Sequence, residues 1–258
     1  MPFTPSHIAA VLPLVSSARA RRVLDPWALA IGSMAPDLPL FLPFLGDYHD
    51  WHSLPGLVLR DLPAALVLLA LFHVLFRDPL VSLLPPGLAG RAADLPGSGL
   101  GRLPAIAAGA VTGAATHLLW DSFTHSWSAE FWGWPWLAAP VAGWVTVHRV
   151  LQYTSTVAGL AVLAWWCHRG LTRMEPRAVP GRLALAGAVR AGVLSAVVAA
   201  GCAAGLTWHH VDPPDPDLGW AAVVTKAGIG TAVGCFLALT VYAAVWHAAR
   251  LARPRRNG

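Results

Sequence analysis

The chain has 258 residues, of which 56% are apolar and only 12% charged, against roughly 25% charged in an average soluble domain. A soluble protein of this composition would expose more apolar surface than water tolerates, which excludes a water-soluble enzyme or binding module. The net charge of +5 is not the footprint of nucleic acid, because the arginines fall in short loops between apolar runs, where they act as topology signals.

In chain order, the apolar runs predict helical segments at about Ser6–Ala18, Trp27–Leu45, Asp61–Phe76, Leu103–Trp120, Val150–His168, Ala184–Trp208 and Trp220–Ala249. In hydrocarbon every backbone N–H and C=O must be paired within its own segment, so these runs are helices. The first is too short to span alone and carries Pro13. The fold class is therefore all-α: a polytopic transmembrane helical bundle of about six spanning helices plus a short N-terminal helix. Residues 1–182 are expected to form one helical membrane domain bearing a His/Asp cluster, and residues 183–258 to add two C-terminal transmembrane helices. Cys167, Cys202 and Cys235 fall inside spans without CxxC spacing and read as small buried apolar residues.

The basic residues alternate from loop to loop. Arg19, Arg21 and Arg22, then Arg77, Arg91 and Arg102, then Arg169, Arg173, Arg177 and Arg182, then Arg250, Arg253, Arg255 and Arg256 occupy every second connection, 14 of the 18 basic residues. The positive-inside rule places these loops and the C-terminus in the cytoplasm. The opposite loops carry Asp47, Asp50, Glu130, Asp212, Asp215 and Asp217. The stretch Trp127–Trp144, with Trp132, Trp134, Trp136 and Trp144, reads as an interfacial aromatic segment on that second side.

The chemistry concentrates on the same side. In Thr116–His125 the residues His117, Asp121 and His125 are spaced by four, so on a helix they share an arc of roughly 80°. Two imidazoles and a carboxylate on one face can converge on a divalent cation, or they can simply hydrogen-bond within the bundle. His7 opens the first helix, Asp37 sits between Pro36 and Pro39, and His52 precedes the third helix. A carboxylate in a run as apolar as Ile31–Leu45 needs a cationic partner or a metal. The prolines break the helix there, which is tolerated where backbone lines a cavity. The topology brings all these groups toward one level of the membrane. His49 and Asp50 are candidates to support His52, and His148 with Arg149 to hold an anionic substrate group. His209 and His210 before an acidic turn read as a solvated loop.

Four motifs in order, MPFTPSH (Met1–His7), GSMAPDLP (Gly32–Pro39), His52-Ser53 and THLLWDSFTH (Thr116–His125), resemble a family of uncharacterised bacterial membrane proteins, domain-of-unknown-function family 4184. The resemblance runs over about Met1–Arg169. The motifs are more distantly similar to those of membrane-bound metal-dependent hydrolases. That similarity implies His7, His52, His117, Asp121 and His125 as metal ligands, with Asp37 and Asp121 as catalytic groups. This chain has Leu38-Pro39 where those relatives often carry a second Asp, so the implied site holds one metal. The resemblance also implies a bacterial inner-membrane location.

The reading that follows is a metal-dependent hydrolase, with a divalent metal (Zn²⁺ from the imidazole-rich ligands) that activates water against a lipid-linked or phosphoester substrate. The alternatives are an ion, proton or small-solute transporter and a structural or regulatory membrane protein. Membrane lipid is the expected partner, and nucleic acid is not.

Overall fold

The computed structural model describes residues 3–143, 145–214 and 219–252. Met1, Pro2, Trp144, Asp215, Asp217, Arg253, Arg255 and Arg256 lie outside the described residues. A 3₁₀ turn at Thr4–His7 leads into α1 (Ile8–Ser16), and α2 (Pro26–Gly32) follows. Among the described residues there are 5 helices long and apolar enough to cross a membrane: α3 (Leu57–Leu83), α4 (Leu103–Thr124), α5 (Val147–Arg173), α6 (Gly187–His210) and α7 (Ala222–Leu251). A small antiparallel hairpin, Pro140–Ala142 with Val145–Thr146, precedes α5. The chain is a polytopic α-helical membrane protein.

The approximate six spans come to five among the described residues, and the continuous helix expected over Trp27–Leu45 is corrected. That segment is α2, then a 3₁₀ turn at Ala35–Asp37, one helical turn at Leu38–Phe41 and another 3₁₀ turn at Pro43–Leu45. Pro36, Pro39 and Pro43 each remove an amide donor and clash with the preceding turn. A helix of seven residues is only about 10 Å long, far short of the roughly 30 Å hydrocarbon core. The cysteines are corrected too: Cys167 and Cys202 are exposed on spanning helices and Cys235 is half-buried.

The chain divides into two compact units, Met1–Ala70 with Pro96–Arg173 and Leu71–Leu95 with Met174–Gly258. In the first, the short helix α2 packs on α4 through small residues. The pair Gly109 and Gly113 on α4 faces Asp25 and Leu29, and Gly32 faces Ala110. A Cβ on Gly113 would lie 2.3 Å from the Leu29 carbonyl oxygen, and one on Gly32 2.2 Å from that of Ala110. Backbones this close are the usual means of helix association in lipid, where apolar burial gives no drive. Gly113→Leu should therefore push α2 off α4 and destabilise the unit by about 3 kcal/mol. Thermal unfolding in detergent checks this, with the exposed Gly170→Leu as a control that leaves the melting temperature in place.

Asp25 starts α2. Its Oδ1 accepts from the amides of Trp27 and Ala28, both at 3.0 Å, and from the Ser98 hydroxyl at 2.7 Å. The Arg102 guanidinium donates to the Arg21 carbonyl at 2.6 Å, so the arginines before α2 and before α4 share one end of this unit. In the second unit α6 and α7 form a hairpin in which a Cβ on Gly234 would stand 2.4 Å from the Ala200 carbonyl oxygen. Tyr242 on α7 bonds the Ser82 hydroxyl at 2.7 Å, and His247 Nε2 meets the Leu75 carbonyl at 3.0 Å.

Candidate metal centre

The far end of α4 carries the site. His117 and Asp121, one turn apart, are fully buried, about 21 and 27 Å along the helix from its arginine end. The helix stops at Thr124 because His125 adopts an extended backbone (φ −111°, ψ 162°), so His125 is not on the helical arc drawn from its spacing. Its ring nevertheless folds back. His125 Nδ1 reaches the Asp121 carbonyl at 3.0 Å, a last-turn group that the helix itself leaves unpaired.

The broken second segment supplies the next ligand. Because the helix ends at Gly32, the Asp37 amide bonds the Met34 carbonyl and leaves that of Ser33 for another donor. His117 Nδ1 takes it at 2.8 Å. Thr4, from the N-terminal motif, donates its hydroxyl to Asp37 Oδ2 at 2.6 Å, which turns Oδ1 the other way. His52 closes the short helix Tyr48–Trp51, and its Nδ1 meets the Tyr48 carbonyl at 3.2 Å while its ring stacks on that of Tyr48. Ser53 then fixes the entry to α3, donating to the Asp50 carbonyl at 2.8 Å and accepting from the Gly56 amide at 3.0 Å.

In each of His52, His117 and His125, Nδ1 faces a carbonyl and so carries the hydrogen. The other ring nitrogen, Nε2, is left with its lone pair turned inward. His52 Nε2 lies 3.3 Å from His117 Nε2, 3.6 Å from Asp121 Oδ2 and 3.7 Å from Asp37 Oδ1. His117 Nε2 lies 3.3 Å from Asp121 Oδ2 and 3.4 Å from Asp37 Oδ1. All four donor atoms are within 4.8 Å of one another, and Asp37 Oδ1 and Asp121 Oδ2 have no hydrogen-bond partner.

Two buried carboxylate oxygens and two imidazole lone pairs facing one point are costly without a cation among them. An imidazolium would draw one carboxylate to about 2.7–2.9 Å. Here no imidazole–carboxylate pair approaches that closely, and those four spacings are nearly even, at 3.3–3.7 Å. The group can hold a metal ion.

All six residues singled out in the sequence gather here, in different roles. Asp37, expected as a catalytic carboxylate, stands among the four donors, because Thr4 engages its other oxygen. His7 and His125, expected as ligands, flank the four. The His7 ring stacks on His117 with centroids 3.8 Å apart, which brings its Nε2 to 3.5 Å from the outer oxygen of Asp121. His125 Nε2 is 3.7 Å from Asp121 Oδ2. Burial pulls the His7 imidazole down to about 4 and lowers that of His125, so both are neutral at pH 7.

Elsewhere, His148 meets the Leu137 carbonyl at 3.2 Å and the Thr146 hydroxyl, and Asp50 faces Arg60 at 3.4 Å in an exposed pair. His209 bonds the Leu206 carbonyl of its own helix. Trp132 donates to the Ser122 carbonyl at 2.9 Å and stacks between Phe123 and Trp134, which ties the aromatic segment to the end of α4.

Sequence reasoning passed over Thr4, Tyr48 and Asp61. Asp61 is fully buried, and neither carboxylate oxygen has a hydrogen-bond partner. It lies in a π-helical turn, Leu57–Asp61, that packs on the Ala35–Asp37 turn and on α4. The third helix, expected to start at Asp61, begins at Leu57 and so places the carboxylate inside the span, where it is a marker. Thr4→Val should weaken divalent-metal affinity by about 10–100-fold, the usual effect of removing a partner behind a ligand. A competition titration against a metal-binding dye measures this.

Neither the curated proteins nor the solved structures contain a match to the chain. A family model does match, over residues 1–244, which carries it past the four motifs and through α6 into α7. The chain belongs to the family described as a domain of unknown function, DUF4184.

Proposed function

We propose that this protein is an integral-membrane, metal-dependent hydrolase acting on a lipid-linked or phosphoester substrate at the non-cytoplasmic face of a bacterial inner membrane. One observation carries the reading: two imidazole nitrogens and two carboxylate oxygens from three separate segments face one point, five pairs of them 3.3–3.7 Å apart and all within 4.8 Å. Four ligands about 2.0–2.1 Å from a tetrahedral zinc ion stand about 3.3–3.4 Å apart, so the spacing suits Zn²⁺. Imidazole nitrogens favour it as well. Asp37 and Asp121 together neutralise a divalent ion, which removes the electrostatic objection to burying both.

A bound divalent cation supplies Lewis acidity and an activated water. The protein supplies the rest. The side chains of His52 and His125, 9% and 16% exposed, are the members that solvent reaches, so substrate approaches on their side. With Asp37 taken up as a ligand, the proton carrier is a flanking imidazole, His125 on the open side or His7 behind. Toward the arginine end the site is closed by Val11, Leu29, Ala110 and Ala114, all at most 1% exposed. A site closed on that side suits an enzyme better than a transport path. The orientation rests on Arg21 and Arg102 sharing that closed end, which the positive-inside rule assigns to the cytoplasm.

The test is hydrolysis of a phosphodiester chromogen and of short-chain lipid phosphoesters by zinc-loaded protein in detergent. Turnover that a chelator stops and zinc restores is expected. A stoichiometrically loaded protein that cleaves none of them would turn the assignment to the non-enzymatic readings.

A further inference from the structure

Two cavities open on the surface between α4 and α5. One, of about 430 Å³, is lined by Trp120, Phe123, Thr124, Leu151, Ser155 and Ala158. The other, of about 260 Å³, shares Trp120, Ser155 and Ala158 with the first and continues past Ser6 and His7 to Ala10 and Val162. Together they form a groove along two spanning helices, continuous with the lipid-facing surface that Trp120 (45% exposed) and Val162 (46% exposed) present.

The groove is apolar beyond what its residue names suggest. Thr154 and Ser155 turn their hydroxyls onto the Val150 and Gln152 carbonyls of their own helix, at 2.7 and 3.1 Å. His7 also lines it; both of its buried ring nitrogens lack a hydrogen-bond partner, and it stands 3.5 Å from Asp121. From Leu151 to Val162 the groove follows about 16 Å of helix, half of the roughly 30 Å hydrocarbon core.

We infer that this groove seats a single acyl chain of a membrane lipid, entering sideways from one leaflet, with the lipid's polar linkage at the Thr124–Leu151 end, next to His125, and its chain running inward past His7. The match of length to one leaflet and the continuity with the lipid-facing surface identify the occupant, and the Thr124–Leu151 end, next to the more exposed His125, gives its direction. The inference rests on the proposed hydrolase only for the fate of the lipid, not for its binding. It makes the substrate an acyl lipid delivered from the bilayer rather than a soluble ester.

Vesicles of phosphatidylethanolamine and phosphatidylglycerol, doped with a phospholipid carrying a diazirine in its acyl chain, test this by photolabelling and peptide mapping. Labelling of the Trp120–Thr124 and Leu151–Val162 peptides is expected to exceed that of α6 and α7 at least fivefold. Ala158→Phe, or Ser155→Leu should the first variant not fold, is expected to remove that excess, whereas Val198→Phe on α6 leaves it. Even labelling of all spanning helices would mean ordinary surrounding lipid and would overturn the inference, as would cross-linking of the groove to a second copy of the chain. Bound zinc measured in the same samples separates the two claims. Groove labelling without zinc keeps this one and removes the hydrolase, and zinc with even labelling does the reverse.

Discussion

Asp121→Asn is expected to abolish hydrolysis while leaving the chain folded in detergent. Asp121 serves three imidazoles at once: Oδ2 faces His52 and His117 at 3.6 and 3.3 Å, and Oδ1 faces His7 at 3.5 Å. Asparagine has nearly the same shape, so the packing of α4 is kept. It removes one of the two charges that balance a divalent ion, and it presents either an amide N–H or a neutral oxygen where an anion stood. The loss in kcat/KM should exceed about 100-fold, the upper end of what removing a partner behind a ligand costs. Retained activity in a monodisperse Asp121→Asn protein would contradict the assignment of Asp121 to the metal.

The second large effect is on stability. A metal that binds only the folded chain stabilises it by about 2.7 kcal/mol at a free concentration one hundred times its dissociation constant. The four donors come from the Ala35–Asp37 turn, the chain before α3 and α4, so a bound ion joins segments that α2 and the prolines hold only through short contacts. At roughly 2–4 °C per kcal/mol for a chain of this size, zinc should raise the melting temperature by about 5–10 °C. A chelator should reverse the rise, and His52→Ala/His117→Ala should show none. A melting curve indifferent to zinc in the wild type would contradict a preformed site.

What could be read from the sequence, and what could not, follows from the physics each signal carries. The five long helices were legible because hydrocarbon demands an uninterrupted apolar run, and composition alone reports that. The segment Trp27–Leu45 is equally apolar, so hydropathy reads it as a span, and Pro36 and Pro39 signalled a break in it without showing that the helix ends before them. Its helix ends at Gly32, and the freed Ser33 carbonyl becomes the anchor of His117.

His117 and Asp121 were legible from their spacing on one helix face. The roles of His125 and His7 were not, since they depend on a helix end at Thr124 and on a ring stack, and neither has a period. Thr4 was hidden in plain view. Its hydroxyl orients Asp37 across 33 positions of sequence, a contact only the folded chain reveals. Asp61 sits at the edge of an apolar run and reads as a helix boundary, yet it is fully buried.

Metal content of the detergent-purified protein tests the central claim most directly, with wild type measured beside His52→Ala/His117→Ala after zinc supplementation and desalting. About one zinc ion per chain is expected in the wild type, with nitrogen and oxygen ligands near 2.0–2.1 Å by X-ray absorption, and none in the double variant. A wild type that retains no divalent metal, or a double variant that retains as much, would contradict that claim and leave the four inward-facing donors as proton-sharing groups of the bundle.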